Sequence, residues 1–160
     1  MAIQGGRPNN RQVVPYLMVS DARAALDFYQ KAFGATVLYQ APMPGMPGIF
    51  AQLKIGESYL QLTDLPSRDP KGPRSPETLG GTSVVIEMYV DDVDKSFARA
   101  VELGGTPLLP PTEMFFGDRY SWVGDPWGHV WALATVKETL SEDEIQRRAE
   151  DFMLAMSKNK

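Results

Sequence analysis

Apolar and polar positions alternate along VVPYLMV (residues 13–19), IFAQLKI (49–55) and SYLQLTD (58–64). That period of two predicts strands. Between the first two, Ala25, Phe28, Tyr29, Ala32 and Phe33 recur at the helical period, with Asp21 placed to cap the start and Gly34 to stop the helix. IFAQLKI and SYLQLTD meet at a short turn, Gly56-Glu57. The same order then returns: SVVIEMYV (83–90), a helix from Asp92 to about Leu103, RYSWVG (119–124) and HVWALATV (129–136). ATVLYQ (35–40) and GTPLLP (105–110) supply one further strand to each half.

The two halves are copies. VSDARAALDFYQKAFGAT from Val19 aligns without a gap onto VDDVDKSFARAVELGGTP from Val90, an offset of 71 residues. The offset pairs Asp21 with Asp92, Leu26 with Phe97 and Gly34 with Gly105, and farther on Leu60 with Trp131 and Leu62 with Leu133. A register that holds through helix and strands alike marks a duplicated module. The expectation is one α+β domain over 1–160: module 1 over about 11–65, a linker over 66–81, module 2 over about 82–137 and a C-terminal helix over about 141–157. The Pro/Gly loop QAPMPGMPG (40–48) is either a lid or a plain connector. The last helix opens with a capping box, Ser141 to Glu144, and gathers Ile145, Ala149, Phe152, Met153 and Met156 on one face to dock on its own domain or on a second subunit.

Strand parity divides the side chains into two sets. Leu17, Val19, Leu60, Leu62, Ile86, Met88, Val90, Trp131 and Leu133 form the apolar set expected under the helices. The opposite set is mixed: Val14, Tyr16, Met18, Phe50, Gln52, Tyr59, Gln61 and Thr63 in module 1, and Val85, Glu87, Tyr89, Arg119, Ser121, Val123, Val130, Ala132 and Ala134 in module 2. A polar face so rich in aromatic rings suits a small-molecule cavity better than bare solvent.

Composition narrows the chemistry. The chain has no cysteine, which removes disulfides, thiolate nucleophiles and Cys-ligated metals. A net charge of −4 speaks against nucleic acid as a partner. No apolar run is long enough for a membrane span, and MAIQGGRPNNRQ lacks the apolar middle of a secretion signal, so a cytoplasmic protein is expected. His129 is the single histidine. It shares parity with Trp131 and Leu133, so a structural role at the turn DPWGH is expected of it.

Paired βαβββ modules, the Val19–Tyr29 pattern V-x-D-x-x-x-x-x-x-F-Y and DPWGH after a strand resemble the glyoxalase/bleomycin-resistance/ring-cleaving dioxygenase (vicinal oxygen chelate) superfamily. GGTSVVIEMYVDDVD, FFGDRY and DPWGHVWALAT are similar to its PhnB-like branch, and the resemblance spans about residues 12–155. It implies two modules whose curved mixed sheets pair into a cup. It also implies metal-ligand positions, in metal-dependent members, at Val14, Gln61, Val85 and Ala132, two pairs related by the same offset of 71. None of these is a histidine or carboxylate, and Phe50 stands where metal-free relatives often carry histidine. No metal and no cofactor are therefore expected.

Two functional classes follow. One is a metal-free binding protein that sequesters a small aromatic or cationic molecule, a drug in the bleomycin-resistance case, as a homodimer. Its expected contacts are Tyr16, Met18, Phe50, Gln52, Tyr59, Gln61, Tyr89, Phe115 and Ser121, with the Pro/Gly segment 41–48 and EMFFGD (113–118) as rims and the exposed Met114-Phe115-Phe116 run, with the C-terminal helix face, as surface for the dimer to bury. The other is a metal-independent isomerase, cyclase or lyase with Glu87 as base, Tyr16 or Tyr89 as acid, and Arg119 as anion anchor. In either class Glu87 and Arg119 can also simply pair with each other.

Overall fold

The computed structural model describes residues 13–158. The chain divides into two compact units: one runs to Val84 and includes Asp125–His129, and the other holds Val85–Gly124 and the chain from Val130 onward. The DPWGH segment, which its sequence position assigns to module 2, thus belongs to the first unit.

The first unit contains β1 (Tyr16–Met18), α1 (Ala22–Phe33), β2 (Thr36–Pro42), β3 (Ile49–Ile55), β4 (Ser58–Thr63) and a single helical turn, α2 (Pro76–Leu79), inside the linker. Its sheet runs β1-β4-β3-β2, with β1 parallel to β4 and the other pairs antiparallel. Asp21 Oδ1 accepts from the Ala24 N–H at 3.0 Å, and Gly34, at φ 66°, closes α1 in the left-handed conformation that a side chain disfavours. Leu17, Ile49, Ala51, Leu53, Leu60 and Leu62 are buried on one sheet face, with Ala25, Leu26, Phe28 and Tyr29 of α1. Each large apolar side chain removed from water contributes about 1.5–3 kcal/mol. Asp64, just past β4, joins the layers: Oδ2 accepts from the Ala22 N–H at 3.0 Å and Oδ1 from the Ile49 N–H at 2.6 Å.

The second unit repeats the plan with β5 (Val85–Tyr89), α3 (Val93–Glu102), β6 (Thr106–Glu113), β7 (Asp118–Gly124) and β8 (Val130–Val136), in the order β5-β8-β7-β6. Asp92 caps α3 at the Lys95 N–H, 3.0 Å away. Thr135, which the offset of 71 pairs with Asp64, joins strand to helix here, its Oγ1 accepting from the Val93 N–H at 2.9 Å. Pro107, Pro110 and Pro111 lie on the edge strand β6, where missing N–H donors cost the ladder least. The C-terminal helix α4 spans Glu142–Lys158, and none of its residues is fully buried.

The two sheets differ in one register. Gln61 stands opposite Gln52, but Ala132, its repeat partner, stands opposite Trp122. β7 therefore corresponds to β3 at an offset of 70 rather than 71. The turn between β3 and β4 has two residues; the one between β7 and β8 has five. Because side chains alternate, a one-residue slip exchanges the two faces of a strand. Arg119, Ser121 and Val123 consequently point toward α3, with Trp131 and Leu133. Asp118, Tyr120 and Trp122 take the other face, with Ala132, Ala134, Glu87 and Tyr89.

Candidate ligand-binding faces

On the first sheet, the face away from α1 carries two cross-strand rows. Tyr39, Gln52, Gln61 and Tyr16 form one; Ala41, Phe50, Thr63 and Met18 form the other. Tyr59 lies beside them, paired with Lys54. Phe50 is the hub: the Tyr16 ring meets it edge-on at 5.8 Å and the Tyr39 ring lies 6.3 Å away. Tyr16 remains 46% exposed, while Gln52 and Gln61 present two neighbouring amides, half-buried. The structure thus gathers Tyr16, Met18, Phe50, Gln52, Tyr59 and Gln61 on one face as expected. It adds Tyr39, which parity alone does not reveal because β2 carries a bulge between Val37 and Tyr39.

On the second sheet the rows are Glu87, Ala132, Trp122 and Leu109, then Tyr89, Ala134, Tyr120 and Thr112. Tyr89 is 62% exposed and Trp122 37%, whereas Trp127 and Trp131 are buried. The Phe116 ring supports Tyr120 edge-on at 5.7 Å. The Asp118 carboxylate first, then that of Glu87, then partial burial, hold the Tyr89 phenol above its ordinary value.

Two expected site residues belong elsewhere. Arg119 neither anchors an anion on this face nor pairs with Glu87. Its Nε and Nη2 donate to the two Asp94 carboxylate oxygens of α3, both at 2.7 Å, and Nη1 donates to Glu113 at 3.3 Å. These pairs raise the Arg119 pKa and depress that of Asp94. Ser121 is fully buried on the α3 side, and its Oγ has no hydrogen-bond partner among the described residues. Neither can touch a ligand on the outer face; the register slip is the reason for both.

The loop Met114-Phe115-Phe116 is half-buried rather than exposed. Phe115 packs on Phe116 at 5.2 Å and on Phe152 of α4 at 5.5 Å, so it serves as the helix's docking point instead of a free rim. Only half of the expected capping box forms: the Glu144 N–H donates to Ser141 Oγ at 3.3 Å, but the Glu144 carboxylate pairs with Arg147 and Arg148.

His129 is buried, at 9% exposure. Its Nε2 donates to the Met18 carbonyl of β1 at 2.9 Å; the carbonyl can only accept, so this nitrogen carries the proton. The ring bonds to strand backbone, not to the turn backbone expected for it. The turn is organised by Asp125, whose Oδ1 accepts from the Trp127 and His129 N–H groups and whose Oδ2 accepts from the Tyr29 hydroxyl at 2.6 Å.

The four positions marked for metal ligands bear one amide, Gln61, and the hydrocarbon side chains of Val14, Val85 and Ala132. Among the described residues no group of three or more His, Cys, Asp or Glu side chains is placed to hold an ion. The donor set does not fit a divalent metal.

The fold and these faces define a class. The sequence profile of the glyoxalase/bleomycin resistance protein/dioxygenase superfamily matches residues 11–133, and the chain belongs to that superfamily. An uncharacterized protein of Mycobacterium tuberculosis is 41% identical over 133 residues, covering 82% of this chain and 78% of that protein. TioX from Micromonospora sp. ML1 superposes with a TM-score of 0.56 at 25% identity, over 81% of this chain and 99% of TioX. A PhnB protein from Bacillus cereus shares the fold at a TM-score of 0.59 and 14% identity, over 79% of this chain and 100% of that one. No helix among the described residues is long and apolar enough to cross a membrane.

Proposed function

We propose that the protein binds a small aromatic or cationic organic molecule on its polar-aromatic sheet faces and sequesters it without metal chemistry, in the manner of a PhnB-like, bleomycin-resistance-type member. The carrying observation is the exposure of Tyr16, Tyr89 and Trp122 on strands whose other faces are packed. Isolated rings on a surface are ordinary, but rings aligned in cross-strand rows with amides and carboxylates offer stacking and hydrogen bonding together. In this reading the protein works in the cytoplasm as a homodimer. Met153, Leu154 and Met156 of α4, each more than half exposed, supply surface to cover, and light scattering then gives twice the 17.7 kDa chain mass.

Trp122 is the sole exposed tryptophan of three, so it reports on the second face. Native mass spectrometry of freshly purified protein identifies a carried ligand. That ligand, added back, changes the Trp122 emission of the wild type and not of Trp122→Phe. A ligand that leaves this emission untouched and also tolerates Tyr16→Ala refutes the assignment of both faces.

One arrangement favours the acid–base enzyme instead: Glu87 and Tyr89 lie two residues apart on the same face of β5, which places a carboxylate and a phenol side by side. Under that reading Glu87→Gln keeps binding and lowers turnover about 100-fold or more. Under the binding reading the same substitution weakens affinity.

A further inference from the structure

We propose that Gln52 and Gln61 form an amide-reading patch on the first sheet's outer face, selecting uncharged flat ligands that carry an N–H and a C=O side by side, the edge of a lactam, imide or ureide ring. The inference rests on the reading of this face as a ligand site and names what binds there.

The two glutamines stand directly opposite each other on β3 and β4, and a tyrosine continues the row on either side, Tyr39 on β2 and Tyr16 on β1. Partners across adjacent antiparallel strands have Cα atoms about 4.5–5.5 Å apart, so both amides lie within reach of one small ring. Both residues are half-buried, and among the described residues neither amide takes part in a side-chain hydrogen bond, even with the other. The next row sets Phe50 beside them, with the Tyr16 and Tyr39 rings 5.8 and 6.3 Å from its own. Two other polar side chains of these strands are already engaged. Lys54 Nζ donates to Glu57 at 2.9 Å, and Thr63 Oγ1 donates to the Ile49 carbonyl at 2.8 Å while accepting from the Leu65 N–H at 3.1 Å.

The hydrogen-bonding capacity left over is neutral and two-sided. A carboxamide donates through Nε2 and accepts through Oε1, so a carboxylate or an ammonium satisfies only one end of it. A group with N–H and C=O on adjacent ring atoms meets both ends, head to tail. Partial burial among aromatic rings also makes such a bond count for more than it would in open water. The body of the ligand is flat, because Tyr16, Phe50 and Tyr39 offer ring contacts around the amides. On the second sheet Ala132 and Trp122 hold the positions of Gln61 and Gln52, and neither is an amide, so this recognition belongs to the first sheet alone.

The test uses the full chain, isotope-labelled for NMR, and two isomeric probes. In 4-methyl-2-quinolinone the lactam N–H is free; in N-methyl-2-quinolinone it is blocked, at the same mass and ring system. The free lactam is expected to shift the side-chain NH2 signals of Gln52 and Gln61 and the Phe50 ring, with an affinity about tenfold above that of its isomer. Gln52→Leu and Gln61→Leu each lower the affinity for the free lactam several-fold to about tenfold and leave the N-methyl isomer unchanged. The comparison of isomers on the wild type needs no variant, so it decides the matter even if a leucine variant does not fold. Equal affinities for the two isomers in the wild type, or a preference that persists in both variants, overturn the amide patch while the ligand face stands. Absence of both isomers from this face overturns the face as well.

Discussion

Replacing Ser121 with alanine should make the protein more stable. Its hydroxyl is fully buried against the α3 layer and has no hydrogen-bond partner among the described residues. Desolvating such a group without compensation costs about 1–3 kcal/mol. The first sheet supplies the matched control: Ala51 stands opposite Leu62 as Ser121 stands opposite Leu133, Leu62 and Leu133 are repeat partners, and Ala51 is likewise fully buried. Alanine therefore suits this position in this sheet. Removing one oxygen also leaves a small void, which offsets part of the gain, so the expected net is about 1 kcal/mol of added stability. For a chain of this size that raises Tm by roughly 2–4 °C. Differential scanning calorimetry or a urea melt reads it, and ligand binding should not change. A loss of stability beyond about 0.5 kcal/mol would show that the hydroxyl is satisfied, by water or by an altered rotamer, and would refute the reasoning. A change in ligand affinity at unchanged Tm would refute the placement of β7.

Arg119→Gln is expected to leave ligand affinity intact and to move stability by no more than about 1 kcal/mol, because its ion pairs are partly solvated; a large loss of binding refutes the face assignment. His129→Asn shortens the side chain out of reach of the Met18 carbonyl and should cost about 1–3 kcal/mol in a thermal melt with binding unchanged. Arg147 and Arg148 hold the Glu144 carboxyl down at about 2, below its usual 4.5. A depressed acid stabilises the fold fully above about 4.5 and loses that contribution as pH falls toward about 2. Glu144→Gln should accordingly loosen α4 at neutral pH, read by hydrogen exchange over Glu142–Lys158, and the difference from wild type should vanish near the bottom of that window.

Local pattern carried most of the fold. The alternation in β3 and β4, the helical period of α1 and the caps at Asp21 and Asp92 are short-range signals, and each element formed where its period indicated. The duplication transferred that reading to the second half; the shared role of Asp64 and Thr135 is visible only in three dimensions. The site was half legible. Tyr16, Gln61, Glu87 and Tyr89 lie on strands whose register follows the offset of 71. Arg119 and Ser121 were misplaced because a periodic pattern gives relative parity within a strand, while absolute facing depends on the turn that joins it to its neighbour. RYSWVG has plausible residues on both sides, so nothing inside β7 breaks the tie. Tyr120 and Trp122 were missed on the outer face for the same reason: they come into view only once the strand is turned over.

The slip between β3 and β7 also bears on how such a sheet can change the side chains on its outer face. A substitution alters one side chain at one position. An insertion or deletion of a single residue in the turn beside β7 would present Arg119, Ser121 and Val123 outward and withdraw Tyr120 and Trp122 into the packing layer, a wholesale exchange from one mutational event. Such an event is survivable only where both sides of a strand can be buried, and β7, with Ser121 and Val123 on one side and Tyr120 on the other, has that composition. In this chain the length of the turn before the last strand of a module is therefore a variable in its own right, able to change which side chains the outer face carries while the rest of the chain stays constant.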